Sequence, residues 1–330
     1  MQRRVGSRYV LSELLGRGSF GTVWRGEGPA GPVAVKILRE EFADNPELVN
    51  RFIRERAAMR RLSHPHIVPV RDLVAEGDLL ALVMDVIDGP NLREHLRDRS
   101  RLTVAEALGL AAAMATALAH AHDQGVVHRD VKPENVLLHP AAGGESVPML
   151  TDFGIARLVE ETSTTRSVVL LGTPLYMAPE LADGQRGGPP ADVYATGVVL
   201  YELLAGHPPF TAEHPLAVLR QHVTTAPARP RGVADPVWAL LAECLAKDPA
   251  ARPTAAVLAR RLNELADGRI TGWASPPAAP TLRAPTGPLH SEEGRAPRAV
   301  RAGLAATIAV VLGLGGCLAG AAGGYRAGAG

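Results

Sequence analysis

The chain contains little cysteine and almost no net charge. Only two of its 330 residues are cysteines, Cys244 and Cys317, so a disulfide framework and a four-cysteine zinc site are excluded. Its 35 basic and 34 acidic residues leave a net charge of +1. This balance excludes a strongly basic nucleic-acid-binding protein and an acidic disordered tail as descriptions of the whole chain, and we expect no nucleic-acid partner.

Lysine is also scarce. Only three of the 35 basic residues are lysines, namely Lys36, Lys132 and Lys247. In such a background a retained lysine marks a position where a compact ammonium group is favoured over the planar guanidinium of arginine. Hydrophobic residues, by contrast, make up 46% of the chain, which is ample for a large core and excludes wholesale disorder.

The pattern of apolar residues along the chain predicts two lobes. Three strands between residues 9 and 38, a helix over 45–62 and two strands near 68–74 and 79–85 form a strand-rich part. Helices are predicted in the second part over 104–124, 192–204, 215–222, 236–244 and 254–265. The sequence therefore favours an α+β fold in which a strand-rich lobe precedes a helical lobe.

The C-terminal part has a different composition. Residues 266–301 are rich in proline and alanine and predict a disordered, partly extended linker. Residues 302–324 contain no charged residue and would extend about 34 Å as a helix, enough to cross a bilayer. We expect one transmembrane helix there, followed by a short extracytoplasmic tail at 325–330 without a ligand-binding domain. The alternative is a soluble apolar helix.

Arginine and glycine are unevenly placed around this segment. The segment is preceded by Arg283, Arg295, Arg298 and Arg301, whereas only Arg326 follows it. The positive-inside rule then places the two lobes in the cytoplasm.

Glycine repeats every four residues on one helix face, at Gly316, Gly320 and Gly324. This spacing lets two helices approach closely and suggests self-association, although general glycine enrichment explains it equally well.

A glycine-rich motif, G-x-G-x-x-G at residues 16–21, lies between two predicted strands. Alone it is a weak signal, because a glycine-rich hairpin fits it as well. No helix starts at its last glycine, as a dinucleotide-binding motif requires, and the G-K-[ST] of a P-loop is absent from the sequence. A glycine-rich hairpin can still bring backbone N–H groups close to phosphate oxygens, since no Cβ blocks the approach.

Lys36 lies among apolar strand residues, where a lysine is costly to bury without an anionic partner. Two partners are available, a nucleotide phosphate and a carboxylate on the following helix. Glu55, in the middle of the helix predicted over 45–62, is the best carboxylate. A surface lysine and a surface glutamate fit the two positions when each is taken alone.

Two motifs in the second lobe carry the most functional groups. Residues 128–135 read HRDVKPEN between two apolar runs, and TDFG at 151–154 places a carboxylate after a short strand. Together with the glycine motif and Lys36, this ordered set resembles the bacterial, membrane-anchored form of the eukaryotic-type Ser/Thr protein kinases over about residues 9–265. The resemblance implies a bilobal protein-kinase fold that transfers the γ-phosphoryl group of ATP to protein Ser or Thr hydroxyls, with Mg²⁺ as cofactor.

The resemblance assigns the catalytic roles. Asp130 would accept or orient the substrate hydroxyl, and Lys132 would neutralise charge on the transferred phosphoryl group. Lys132 also favours Ser or Thr over Tyr as the acceptor. Asn135 and Asp152 would hold Mg²⁺.

The resemblance also assigns the nucleotide-binding residues. Lys36 would contact the α- and β-phosphates and pair with Glu55 in the active state. The loop over the phosphates would consist of Gly16, Arg17, Gly18 and Gly21. The adenine pocket would be formed by Val23, Ala34, Met84, Asp85, Ile87 and Leu137.

A regulatory segment is implied between residues 153 and 178. It contains a run of hydroxyl residues, of which Thr165 and Ser167 are the best candidates for activating phosphorylation; a solvated loop is the alternative. Each phosphate would add about −1.5 to −2 charge and would pair with Arg129. Trans-autophosphorylation would make a second copy of the chain a partner, alongside ATP and protein substrates.

Two structural contacts are implied as well. Glu180 would pair with Arg252, and Asp192 would hold the backbone of the loop at 128–135. Both are structural roles in the family pattern.

Two other classes of function compete with an active kinase. A pseudokinase scaffold would bind nucleotide or partners without catalysis, but its usual mark is the loss of Lys36, Asp130 or Asp152, and all three are present. A membrane anchor that recruits partners through the proline-rich linker can coexist with catalysis.

Overall fold

The computed structural model describes residues 3–18, 20–99, 102–141, 146–153 and 174–268, without the side chains of residue 51 and residues 53–58. The strands of the first lobe are β1 (Arg3–Val5), β2 (Tyr9–Gly18), β3 (Gly21–Gly28), β4 (Gly31–Leu38), β5 (Val70–Glu76) and β6 (Leu79–Met84). They form one antiparallel sheet in the order β1-β2-β3-β4-β6-β5. Its helices are α1 (Glu40–Ala43) and α2 (Pro46–Arg61).

Strand β4 occupies the middle of this sheet, paired with β3 on one side and β6 on the other. Its residues 33–38 are all buried, which explains their nearly continuous apolar run. The register places Lys36 opposite Val23 on β3 and Leu82 on β6. The lysine is therefore fixed by backbone pairing on both sides.

Helix α2 begins where the sequence predicts a helix. The side chain of Asn45 accepts hydrogen bonds from the backbone N–H groups of Glu47 and Leu48, at 3.0 and 3.2 Å. These bonds satisfy two of the N–H groups that the first turn leaves without a helical partner. Leu48 and Phe52 are each 1% exposed and belong to one core cluster of the first lobe.

The second lobe is helical. Its helices are α3 (Leu92–Asp98), α4 (Val104–Asp123), α5 (Pro179–Ala182), α6 (Pro189–Ala205), α7 (Pro215–Thr224), α8 (Asp235–Cys244) and α9 (Ala255–Ala266). A two-stranded hairpin of β7 (Val136–Pro140) and β8 (Ser146–Leu150) adjoins them. The described residues of this lobe also form two 3₁₀ turns, Pro133–Asn135 and Pro249–Ala251.

Helix α4 forms the centre of this lobe and packs against α6 and α9. Thr103 and Glu106 cap its first turn reciprocally, each side chain bonded to the other's backbone. Within the described part of the chain, α4 is the one helix long and apolar enough to cross a membrane, but half of its apolar stretch is buried in protein. Length and composition alone are therefore weak evidence of a membrane span for it.

The predicted two-lobe α+β organisation is confirmed, and the predicted strands and helices end within a few residues of the observed ones. The elements that the sequence did not predict are β1, α1, α3, β7, α5 and the two 3₁₀ turns, none longer than seven residues. Such short segments carry too few apolar positions to show a period.

Several predictions fall outside the described residues. Thr165 and Ser167 lie between 154 and 173, and the transmembrane span at 302–324 and the tail at 325–330 lie beyond 268. The predicted linker at 266–301 is described only at residues 266–268, which end α9 and form the turn after it.

Candidate active site

A cleft of about 790 Å³ joins the β2–β3 hairpin to the loop before the 3₁₀ turn Pro133–Asn135. With the exception of Glu55, every predicted catalytic, metal-binding and nucleotide-binding residue lines it. The backbone of Glu55 belongs to α2, but its side chain lies outside the described part of the chain. The fold thus gathers residues that are more than one hundred positions apart in the sequence.

The glycine-rich hairpin depends on Gly21. Its φ of 154° is unfavourable for other residues, and a Cβ there would overlap the carbonyl group of Ile37. Gly18 faces Gly21 across the hairpin. Among the described residues, no heavy atom lies within 4 Å of the position that a Cβ on Gly16 would take. The hairpin can therefore approach a phosphate group with its backbone.

Lys36 forms an ion pair inside the cleft. Its Nζ lies 2.7 Å from Oδ2 of Asp152, and the two side chains are 7% and 16% exposed. The ammonium also lies over the ring of Phe20, 5.8 Å from its centroid. Pairing of Lys36 with Glu55 stays a prediction.

Asp130 is held by two neighbours on the same loop. Lys132 donates from Nζ to both carboxylate oxygens, at 2.8 and 2.6 Å. Asn135 donates from Nδ2 to the backbone oxygen of Asp130 at 2.7 Å and to its Oδ2 at 2.9 Å. The carboxylate is thereby fixed in orientation and partly neutralised at the floor of the cleft.

The backbone of this loop is anchored by Asp192, as predicted. Its carboxylate is 1% exposed and accepts the N–H groups of His128 and Arg129, at 2.8 and 2.7 Å. Nε2 of His122 lies 2.8 Å from the same carboxylate. Arg129 has a φ of 67°, which is strained for a residue with a side chain. The buried carboxylate therefore holds a backbone conformation that the chain would not adopt unaided.

Asp152 is oriented in a similar way. It too has a positive φ, 67°, at the point where β8 has ended. Its neighbour Phe153 is 6% exposed and packs on the ring of His128, with 4.5 Å between centroids. Nε2 of His128 lies 2.9 Å from the backbone oxygen of Thr151. These contacts tie the Asp152 segment to the loop that carries Asp130.

The predicted adenine pocket lies in the cleft as a group. The register pairs Ala34 with Met84, and both are buried. The lining residues that sequence reasoning missed include Leu15 and Thr151. Thr151 lies with Oγ1 3.5 Å from the sulfur of Met84, and Leu15 is 46% exposed. Leu15 directly precedes Gly16, the first glycine of the hairpin, and this position could have predicted that it lines the cleft.

The predicted pairing of Glu180 with Arg252 is confirmed. Two parallel hydrogen bonds of 2.8 and 2.7 Å join the guanidinium to the carboxylate. Arg252 also donates to the backbone oxygen of Pro190, at 3.0 Å. Since the side chains are 0% and 8% exposed, this pair is a buried cross-link between α5 and the second 3₁₀ turn.

Comparison with known proteins agrees with this geometry. The family model described as "Protein kinase domain" matches residues 9–261. The chain is 52% identical over 269 residues to the Streptomyces coelicolor serine/threonine-protein kinase PkaB, covering 80% of this chain and 64% of PkaB. It is 50% identical over 279 residues to PkaA of the same organism, covering 81% of this chain and 51% of PkaA.

The fold is likewise similar to a solved structure. The crystal structure of the Mycobacterium tuberculosis PknI kinase domain matches with a TM-score of 0.64 and 31% sequence identity, covering 81% of this chain and 99% of that one. The chain spans between about half and two thirds of the length of the curated relatives PkaA and PkaB.

Proposed function

This chain belongs to the protein kinase family, and on that premise we propose that it transfers the γ-phosphoryl group of ATP to Ser and Thr hydroxyls of proteins. The observation that carries the proposal is the fixed carboxylate of Asp130, with the ammonium of Lys132 2.6–2.8 Å away in the same cleft as Lys36. Phosphoryl transfer requires positioning and charge neutralisation more than covalent chemistry, and these groups supply both.

The roles of the cleft residues follow from their charges. Asp130, an acceptor in its ionised form, can take a hydrogen bond from the substrate hydroxyl and orient it. Lys132 lies beside that position and can neutralise charge that develops on the transferred group. Lys36 has three N–H donors, so it can bind α- and β-phosphate oxygens while keeping one bond to Asp152.

The oxygen donors of the cleft fit Mg²⁺. Asp152 supplies a carboxylate, and Asn135 uses Nδ2 as its donor, so its amide oxygen is the atom able to ligate a cation. A hard cation of this type is bound by one or two carboxylates together with substrate phosphates, and when bound it neutralises phosphate charge. We assign Asn135 and Asp152 to this role.

We further propose activation by autophosphorylation at Thr165 or Ser167. Arg129 lies next to Asp130, is partly buried, and donates from Nε to the carbonyl of Gly187 at 3.0 Å. A phosphate of about −1.5 to −2 charge would add a strong partner for this guanidinium. This contact would hold the phosphorylated residue against the loop that carries Asp130.

We propose a membrane-anchored arrangement for the domain. The kinase domain at 9–265 would be joined by the linker at 266–301 to a transmembrane helix at 302–324, with the kinase in the cytoplasm. The absence of charge from 302–324 and the arginines that precede it support this arrangement. Gly316, Gly320 and Gly324 support self-association of the span, which would favour trans-autophosphorylation.

The proposed activity is tested with the full chain, Mg²⁺ and radiolabelled ATP. The wild-type protein should label itself or a protein acceptor, and Asp130→Asn should lose about 10²–10⁴-fold in rate, the usual contribution of a positioned acid–base group. Asp123→Asn, an exposed position at the end of α4, is the matched control and should keep the wild-type rate. A pseudokinase would instead bind ATP with no label in any of the three proteins.

A further inference from the structure

Arg93, on α3, lies at the centre of an ion cluster that the sequence analysis did not single out. Its Nη1 donates to Oε1 of Glu202 at 2.6 Å, and its Nε donates to Oε1 of Glu134 at 2.9 Å. Its Nη2 donates to the hydroxyl of Tyr176. The four residues, here called the Arg93 cluster, join α3, the 3₁₀ turn Pro133–Asn135, the segment Pro174–Ala178 and α6.

The charges of the cluster are fixed by its surroundings. Burial raises the pKa of Tyr176 far above its usual value, and the nearby carboxylate of Glu202 raises it further. The phenol therefore stays neutral and donates to Oε2 of Glu202 at 2.6 Å. Burial alone would lower the pKa of Arg93, but hydrogen bonds to Glu202 and Glu134 raise it above its usual value. The guanidinium is thus permanently charged.

The cluster adjoins the loop at residues 128–135, here called the catalytic loop, and it also lines the cleft. Glu134 follows Asp130 by four residues and lies next to Asn135 in the 3₁₀ turn. Tyr176 lines the same cleft as Asp130. The segment Pro174–Ala178 lines the cleft together with Asp130, so a protein acceptor whose hydroxyl reaches Asp130 would lie beside this segment.

We infer that Arg93 is a positioning residue, which holds the segment Pro174–Ala178 against the catalytic loop and so controls binding of the protein acceptor but not of ATP. The predicted effect on catalysis rests on the proposed kinase function, whereas the positioning of the segment by Arg93 does not. The planar guanidinium fits the task because three of its nitrogens bond three different side chains at once. A lysine carries the same charge on a single nitrogen and cannot span them.

Amide hydrogen exchange tests the positioning without any catalytic assay. In the full chain, Arg93→Met should speed exchange at the backbone amides of Tyr176 and Met177 by at least tenfold relative to the wild type. Arg97→Met is the matched control, since Arg97 is exposed on the same helix, and it should leave those amides unchanged. Unchanged exchange at both amides in Arg93→Met overturns the inference, even if the wild-type protein proves to have no kinase activity.

Steady-state kinetics then separates the two substrates. Arg93→Met should lower kcat/KM for the protein acceptor by about 10–100-fold, the scale of an ångström-level misplacement. The KM for ATP should change by less than about twofold, because no hydrogen bond or ion pair between described residues joins the cluster to Lys36 or to the hairpin. Arg93→Lys should recover less than half of the lost kcat/KM. A rise in the KM for ATP as large as the loss in kcat/KM for the acceptor indicates a merely structural role and contradicts the inference.

Tyr176→Phe provides a second variant if Arg93→Met fails to fold. It keeps the ring and removes only the hydroxyl that bonds Arg93 and Glu202. A smaller change in the same direction is expected, about 3–10-fold in kcat/KM for the acceptor, again with little change for ATP. An acceptor kcat/KM equal to that of the wild type overturns the inference.

Discussion

Replacement of Asp192 by asparagine tests how the fold holds the catalytic loop. The carboxylate is 1% exposed and accepts the backbone N–H groups of His128 and Arg129 at 2.8 and 2.7 Å. Nε2 of His122 is a third neighbour at 2.8 Å. Asparagine has the same shape but only one acceptor oxygen, so in either orientation its NH₂ group would face a backbone N–H.

The size of the loss follows from these contacts. A hydrogen bond to a charged group contributes about 1.5–3 kcal/mol, and a buried N–H left without an acceptor costs a further 1–3 kcal/mol or so. The positive φ of Arg129 costs about 1–3 kcal/mol, and its relaxation would return part of that amount. We expect Asp192→Asn to lower the free energy of unfolding by about 3 kcal/mol.

Urea unfolding of the full chain, followed by circular dichroism, measures this loss. The matched control is Asp183→Asn, an exposed position whose replacement should change stability by less than about 0.5 kcal/mol. At urea concentrations too low to unfold either protein, Asp192→Asn should also lower kcat by roughly 100-fold, because Asp130 directly follows Arg129, the residue with the positive φ. Unfolding of the two variants at the same urea concentration, or an unchanged kcat, would refute this reasoning.

Two further predictions concern buried groups in the helical lobe. Glu180→Gln leaves the buried side chain of Arg252 without its charged partner and should lower the free energy of unfolding by about 3–5 kcal/mol. Arg260→Met removes an exposed ion pair with Glu264 and should lower it by less than about 1 kcal/mol. Equal losses of the two variants in urea unfolding would contradict this expectation. Burial, aided by the charge of Lys247, lowers the pKa of His222 to about 4, so the stabilisation by the neutral ring is complete above pH 6.5 and is lost as the pH falls toward 4. The difference in unfolding free energy between the wild type and His222→Gln should therefore shrink by roughly 2–3 kcal/mol from pH 7 to pH 4.5, and a constant difference would disprove this assignment.

The parts of the structure that sequence could predict share a local signal. Helix α2 has its capping asparagine, Asn45, directly before it, and α4 has Thr103 and Glu106 at the spacing of a capping box. Gly21 could be singled out because its motif places it at a turn where a backbone approaches closely. In each case the determining residues lie within a few positions of one another.

The parts that sequence could not predict depend on distant contacts. Arg93 bonds partners 41, 83 and 109 residues away, and nothing in the seven residues of α3 distinguishes it from the exposed Arg97. The ion pair of Lys36 with Asp152 spans 116 residues. Such contacts arise from the packing of the whole lobe, which local propensity does not encode.

The position of the transferred label tests the central claim most directly. Wild-type protein is incubated with Mg²⁺ and ATP labelled at either the γ- or the α-phosphorus, and the acceptor residue is identified after hydrolysis. Transfer that depends on Asp130 and Lys132 predicts label from the γ position only, on serine or threonine, and labelling that is about 10²–10⁴-fold slower in Asp130→Asn. Label from the α position, label on another residue type, or equal label in Asp130→Asn would contradict the account.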